Sequence, residues 1–100
     1  MNELSISFDN EIAQTLEHEG CVIVLFHIPE GKVENRNICC VDEAGKILWE
    51  IEESPHGTQS DKPFMGVYFD KEKLIASNWN GVDYLVDLDT GKISTLQFPK

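Results

Sequence analysis

The chain has 100 residues, 41% hydrophobic and 26% charged, a balance that excludes both a disordered chain and a membrane-embedded one. Its 18 acidic residues outnumber its 8 basic ones, and the net charge of −10 excludes direct binding to nucleic acid, because neutralising phosphates requires a basic surface. The longest apolar run, Cys21 to Phe26, is far shorter than the ~20 residues of a membrane-spanning helix, and no secretory signal precedes it. We therefore expect one cytoplasmic domain, residues 1–100, with no membrane contact.

The N-terminal segment is compatible with two structures. Alternating apolar residues predict a strand over residues 4–8. Residues 11–18 suit a short helix, because Ile12 and Leu16 lie one helical turn apart and Gly20 follows as a C-cap. An irregular strand over the same residues is the alternative, and the sequence pattern leaves this choice open.

The middle of the chain alternates apolar segments with turns, which is typical of a β-sheet. We predict strands at residues 21–28, 37–41 and 46–52. Side chains alternate along a strand, so Ile47, Trp49 and Ile51 are predicted to share one face.

The last third of the chain has the clearest pattern, four apolar segments joined by short turns. The predicted strands lie at residues 64–69, 74–79, 82–88 and 93–98. Asn80-Gly81 is a strong tight-turn signal, because both residue types tolerate positive φ. Sequential strands with short connections form an antiparallel meander. The polar residues 52–63 form a surface loop between two units, at about 4–52 and 64–98.

One turn sequence occurs twice, with its glycines 46 residues apart. Val41-Asp42-Glu43-Ala44-Gly45-Lys46-Ile47 is similar to Val86-Asp87-Leu88-Asp89-Thr90-Gly91-Lys92-Ile93 with one residue inserted. The longer segments that contain these turns, residues 37–49 and 85–93, resemble the inner-to-outer hairpin of a quinoprotein-type or WD-like propeller blade. A full propeller needs at least about four blades, each a four-stranded meander. The resemblance therefore implies an all-β fold of two propeller-like blades, in effect a half-propeller.

The residues that usually perform catalysis form no recognisable pattern in this chain. Cys39 and Cys40 are adjacent, so they point to opposite faces of a strand, and no Cys-x-x-Cys spacing indicates zinc. His27 lies within an apolar strand, where a sheet residue is the ordinary interpretation. We expect no enzymatic activity, no cofactor and no metal site.

The sequence favours protein binding instead. Alternate turns of a meander lie at one end, so residues 29–36, 53–62 and 78–82 are predicted to meet there. Trp79 is a candidate hot spot at that end, and capping the core is its alternative role. The acidic excess lies entirely within residues 1–61, with 13 acidic and 3 basic residues, whereas residues 62–100 hold 5 of each. The predicted partner-binding residues are Glu30, Glu34, Glu50, Glu52, Glu53, His56, Asp61 and Trp79.

Size, acidity and blade-like hairpins together resemble the bacterial immunity proteins of contact-dependent inhibition and polymorphic toxin systems. Such proteins share no common motif, so no residue role is carried over from them. The resemblance implies an inhibitor that covers the active site of a basic toxin, an RNase or DNase, in a one-to-one complex. A self-associating, propeller-like scaffold or interaction module is the alternative function. Net charge also serves solubility, so the sequence leaves the purpose of the acidic excess open.

Overall fold

Eight β-strands and no helix form the part of the chain that the computed structural model describes, residues 10–55 and 62–96. The strands are β1 (Ile12–His18), β2 (Cys21–Phe26), β3 (Ile38–Asp42), β4 (Ile47–Glu50), β5 (Phe64–Asp70), β6 (Lys73–Asn78), β7 (Asp83–Val86) and β8 (Ile93–Thr95). Consecutive strands pair antiparallel, giving sheet A in the order β1-β2-β3-β4 and sheet B in the order β5-β6-β7-β8. The predicted all-β fold of two blade-like meander sheets is confirmed.

The N-terminal segment forms strand β1, so the short helix over residues 11–18 is wrong. β1 pairs with β2 along its whole length, and the two join through a tight turn in which Glu19 and Gly20 both have positive φ. Gly20 therefore belongs to a hairpin turn rather than to a helix C-cap. A helix of eight residues is marginal by itself, whereas pairing with the apolar strand β2 satisfies the same backbone groups. The strand predicted over residues 4–8 lies outside the described residues.

The main core lies between the two sheets. Side chains alternate along each strand, so every second residue of the inner strands reaches this core. Its fully buried members come from both sheets and include Ile23, Ile38, Ile51, Leu74, Ala76 and Tyr84. Within it, the rings of Phe64 and Tyr84 meet edge to face with their centroids 6.1 Å apart.

Sheet A is apolar on both faces. Val24, Phe26 and Cys39 form a second buried cluster on the face of sheet A that points away from sheet B. The prediction that Ile47 shares a face with Trp49 is wrong, because Ile47 packs against this second cluster while Trp49 lies in the main core. The β3–β4 ladder shifts register between these two residues, and such a bulge turns the following side chains to the opposite face.

The two sheets stack front to back, so that non-equivalent faces of the two sheets meet in the main core. Leu16 and Ile23 form the third pair before the β1–β2 turn and pack in the main core. The equivalent pair of the β5–β6 hairpin is Tyr68 and Ile75, and it lies on the face of sheet B that points away from the core. Equivalent faces of the two sheets therefore point in the same direction, as they do in successive blades of a propeller.

Two side-chain amides join the sheets along the edge of β5. The amide of Asn37 is fully buried, donates to the carbonyl oxygens of Phe26 at 2.9 Å and Phe64 at 2.8 Å, and accepts the Phe64 N–H at 2.8 Å. Gln14 bonds in the same way to the Val67 carbonyl at 2.6 Å and the Val67 N–H at 3.2 Å. Each amide thus presents one donor and one acceptor, as a neighbouring strand would.

The repeated turn sequences form equivalent turns at the ends of β3 and β7. Asp42 Oδ1 accepts the Ala44 N–H at 2.9 Å, and Asp87 Oδ1 accepts the Asp89 N–H at 2.8 Å. Gly45 and Gly91 both have positive φ, at 84° and 77°. The similarity found in the sequence therefore marks the same local structure in both blades.

Candidate functional site

Three long connections meet at one end of the molecule, as the meander predicts. We call this the loop end, made of residues 27–37, 51–55 with 62–63, and 79–82. The Lys62 N–H donates to Asn35 Oδ1 at 2.9 Å, which joins the first two connections. The Trp79 N–H donates to the Pro63 carbonyl at 2.9 Å, which joins the second to the third.

A polar network holds the loop end in place. The hydroxyls of Ser54 and Tyr84 lie 2.6 Å apart and are buried, and the Asn80 amide donates to Ser54 Oγ at 2.8 Å. Asn78 Oδ1 accepts the Asn80 N–H at 3.0 Å, and Asn80 Oδ1 accepts the Val82 N–H at 2.8 Å. The sequence analysis missed these residues, since polar residues next to strand ends indicate only turns.

Trp79 projects from this network into solvent. Its side chain is 52% exposed, so Trp79 does not cap the core. Its backbone is fixed by the bond to Pro63 and by the Asn78–Asn80 turn beside it. An exposed aromatic side chain on a rigid backbone loses little entropy on binding, which suits a contact residue.

Two of the predicted binding carboxylates are largely buried and paired inside the protein. The Glu34 side chain is 13% exposed, accepts a hydrogen bond from the Asn10 amide, and has Lys32 Nζ 3.4 Å away. The Glu50 side chain is 9% exposed and lies 3.8 Å from Arg36, whose Nε donates to the Ile51 carbonyl. These contacts keep both carboxylates away from an incoming partner.

The remaining predicted residues have different surroundings. Glu52 is exposed, and its carboxylate accepts the Ile93 N–H at 2.8 Å, which ties the end of sheet A to β8. Glu53 is exposed and lies 3.9 Å from Lys62, while Glu30 is exposed in the β2–β3 connection. His56 and Asp61 lie outside the described residues.

A second group of carboxylates, which the sequence analysis did not select, lies at the opposite end of sheet A. We call it the acidic end; it consists of Glu17, Glu19, Asp42 and Glu43, which line one open groove of about 370 Å³. Within residues 10–55 and 62–96 none of the four forms an ion pair with a lysine or arginine. The signal in the sequence was the acidic composition of two turns that a meander places at the same end.

The cysteines of β3 are not activated. Burial, and after it the negative charge of Glu50, raises the pKa of the Cys39 thiol to about 11. Burial, a hydrogen bond with Cys21 and nearby negative groups raise the pKa of Cys40. Both thiols are therefore protonated at neutral pH, whereas the nucleophile and the metal ligand are thiolates.

Two further searches covered the described residues. In that part of the chain, no three His, Cys, Asp or Glu side chains group as the ligands of a metal ion do. No helix there has the length and apolar character needed to cross a membrane.

Comparison with known proteins identifies the family. The chain belongs to the family described as a domain of unknown function (DUF7957), whose model matches residues 1–98. No curated protein and no solved structure matches the chain.

Proposed function

We propose that this protein binds and inhibits a cationic protein, and that it acts as an immunity protein against a basic nuclease toxin in the bacterial cytoplasm. It binds one copy of the toxin through the acidic end of sheet A. Binding, rather than catalysis, is its function.

The observation that supports this proposal is the division of the carboxylates into two groups. Most carboxylates at the loop end form ion pairs within the chain, with Lys32, Arg36 or Lys62, and their charge is thereby compensated. Those at the acidic end have no such cation among the described residues and line one groove. Carboxylates compensated internally stabilise the fold, whereas uncompensated ones on one surface create a field that attracts a cationic partner.

A nuclease fits this field because its own surface is complementary. Enzymes that bind nucleic acid carry lysine and arginine where the phosphates lie. A row of carboxylates at the end of a stiff sheet occupies such a surface in place of the phosphates and blocks access to the active site. The stiffness is provided by the hydrogen-bonded strand pairs β1–β2 and β2–β3, which end at the acidic end.

The proposal changes the roles expected for the predicted residues. Glu34, Glu50 and Glu52 stabilise the loops and the sheet edges through the contacts described above. Glu30, Glu53 and Trp79 are exposed and remain predictions for a secondary contact, as do His56 and Asp61.

The first test is functional and uses the reading frames that flank the gene. We expect one of them to encode a basic domain that stops growth when expressed alone, and we expect growth to return when this chain is expressed with it. If no flanking product is toxic, or if this chain does not protect against it, the immunity proposal is wrong.

The second test locates the binding surface on the same partner, used as a catalytically inactive variant. We expect the triple charge reversal Glu17→Lys, Glu19→Lys, Glu43→Lys to lower the association rate by roughly tenfold or more at low salt. The matched control is Glu11→Lys, Glu30→Lys, Glu53→Lys, which makes the same change of charge at exposed positions at or beside the loop end, the opposite end of sheet A. Equal losses for both triples would show that total charge, and not the acidic end, governs binding.

A further inference from the structure

Strand β1 lies at the edge of sheet A, and its hairpin with β2 determines which of its backbone groups point outward. His18 and Cys21 close a two-residue turn, and the closing pair of such a turn is hydrogen-bonded. Bonded and unbonded pairs then alternate along the ladder, and the His27 N–H, which donates to the residue before β1 at 2.7 Å, fits this alternation. The N–H and C=O groups of Thr15 and Glu17, both exposed residues, therefore point away from β2.

Each of the other three edge strands has outward groups that bond within the chain. On β5, two side-chain amides bond to the backbone along the edge, as described above. At the edges of β4 and β8, the Glu52 N–H donates to the Gly91 carbonyl at 3.0 Å, and the Glu52 carboxylate accepts the Ile93 N–H. On β1, no group of residues 10–55 or 62–96 bonds to the outward N–H and C=O groups of Thr15 and Glu17.

An unpaired strand edge is a template for an extended segment of another protein. Lysine, proline or a bulge commonly guards such an edge. The bulge of β1 lies at the loop end of the strand, between Ile12 and Gln14. From Gln14 to His18 the ladder with β2 is regular, and this stretch contains neither lysine nor proline. This half of the edge, which we call the open edge of β1, is therefore free to pair.

Charge decides which kind of segment pairs with the open edge of β1. Glu17 within the strand and Glu19 in the following turn are exposed, and residues 12–19 contain no lysine or arginine. Two copies of this edge would repel each other, whereas a segment with lysine or arginine is attracted. Glu17 and Glu19 also line the groove of the acidic end, so the edge is continuous with the surface proposed above for binding.

We propose, in an inference that rests on the proposed function, that the cationic partner adds an extended segment to the open edge of β1 as a fifth strand of sheet A. The backbone of this segment exchanges hydrogen bonds with Thr15 and Glu17. A lysine or arginine of the segment lies opposite Glu17, where a cross-strand pair of opposite charge is favourable. The backbone bonds supply affinity, and the carboxylates select a cationic sequence.

The first test uses the full chain and a synthetic peptide of alternating lysine and valine, so it does not require the natural partner. NMR measures the exchange of single backbone amides with solvent. We expect millimolar peptide to slow the exchange of Thr15 and Glu17 by about threefold or more, because a paired amide exchanges only after the peptide dissociates. A peptide that leaves both rates unchanged overturns the proposal.

Two controls separate strand pairing from attraction by charge alone. The first is the Thr95 amide on β8, which points away from β7 because the Leu96 N–H donates to the Asp83 carbonyl at 3.2 Å. We expect its exchange rate to stay unchanged, since β8 belongs to the neutral part of the chain. The second is the same peptide with methylated backbone nitrogens at its lysines, which keeps the charge and cannot pair. Equal protection by the methylated peptide overturns the proposal.

The second test uses Thr15→Pro, which removes an outward N–H and leaves the ladder with β2 intact, because an edge strand tolerates proline at such positions. Thr95→Pro makes the same change on β8 and is the matched control. We expect Thr15→Pro to weaken binding of the peptide, and of the inactive toxin, by roughly tenfold, and Thr95→Pro to leave both unchanged. Thermal melts establish that each variant is folded, and the exchange measurements on the unaltered chain decide the matter if Thr15→Pro does not fold.

The outcomes for the edge and for the proposed function are distinguishable. A toxin that binds folded Thr15→Pro as tightly as the unaltered chain overturns pairing at the edge, while the immunity proposal stands. A peptide that protects Thr15 and Glu17, in a chain that protects against no flanking toxin, supports the edge and overturns the immunity proposal.

Discussion

The two sheets share one layout and differ in what surrounds them. Each is a four-stranded meander with a bulge at the start of its first strand, between Ile12 and Gln14 in sheet A and between Phe64 and Gly66 in sheet B. Sheet A is apolar on both faces and belongs to the part of the chain with all the excess negative charge, whereas sheet B belongs to the neutral part. The same strand order thus serves one sheet buried on two sides and another with a partly exposed face.

The repeated turns show this difference at a single residue. A Cβ atom on Gly45 would have no other heavy atom within 4 Å. A Cβ atom on Gly91 would lie 2.6 Å from the Glu50 carbonyl oxygen and 2.6 Å from the Trp49 ring. Both glycines serve the turn conformation, and only Gly91 also serves the contact between the sheets. Equivalent positions in a repeat therefore need not have equal importance for stability.

The largest effect that we predict comes from Asn37, whose amide joins the two sheets. Asn37→Ala leaves the buried N–H and C=O of Phe64 without their partner, and each unsatisfied group costs about 1–3 kcal/mol. We expect the free energy of unfolding to fall by about 4 kcal/mol, measured by urea denaturation. Gln14→Ala removes the corresponding bonds of Val67 at a half-buried position, and there we expect about 1 kcal/mol. An equal loss of stability in the two variants would show that the deeper burial of the Asn37 amide does not make it more important than the Gln14 amide.

The next effect compares the two turn glycines directly. Gly91→Ala forces a side chain into the left-handed region and against Trp49, and we expect a loss of about 3 kcal/mol in the free energy of unfolding. Gly45→Ala only places an alanine at positive φ, and we expect this to lower the free energy of unfolding by about 1 kcal/mol. Chemical denaturation of both variants measures the difference. If Gly45→Ala destabilises the protein as much as Gly91→Ala, the contact with Trp49 has no energetic role.

A smaller effect concerns the two tryptophans. The indole N–H of Trp49 donates to the Leu88 carbonyl at 2.8 Å and so links β4 to the turn after β7. Trp49→Phe removes this bond, and we expect a loss of about 1–2 kcal/mol in the free energy of unfolding. Trp79→Phe is the control, because its exposed ring makes no comparable contact in the structure described, and it should change stability by less than about 0.5 kcal/mol. A Trp49→Phe variant as stable as this control contradicts the prediction.

The smallest effect is a pH dependence that arises in sheet A. The pKa of Cys39 is raised to about 11 in the folded protein from an ordinary value of 9.0, and burial raises that of Cys40 as well. Because the unfolded thiols ionise first as the pH rises, these groups stabilise the fold fully below about pH 9. They lose this contribution as the pH passes through about 11 for Cys39 and about 12 for Cys40. We expect denaturation midpoints to fall over this window.

The control for this prediction is the double variant Cys39→Ala, Cys40→Ala. It removes both thiols and retains every tyrosine and lysine, which also titrate at high pH. We expect its denaturation midpoint to fall less steeply above pH 9 than that of the unaltered chain. If the midpoints of the two proteins fall equally steeply above pH 9, the loss of stability at alkaline pH comes from the tyrosines and lysines and not from the thiols.

Much of the architecture was predictable from local patterns alone. Alternating apolar residues and turn residues such as Asn80-Gly81 predicted seven of the eight strands, because alternation and turn chemistry act over only a few residues. The choice between helix and strand for residues 12–18 was different. It depended on pairing with β2, which the spacing of Ile12 and Leu16 does not reveal.

The sequence by itself determined the all-β class, the two blade-like units, the repeated turn and the acidic excess of the first part of the chain. Only the tertiary structure decided which carboxylates are compensated, which face Ile47 joins, and that Trp79 points into solvent. The physical reason is distance along the chain. Glu50 meets Arg36 because β4 pairs antiparallel with β3, which brings the end of β4 beside the residues that precede β3, and no pattern within either segment records such a meeting. Burial and ion pairing are properties of that assembly, whereas strand formation begins within each segment.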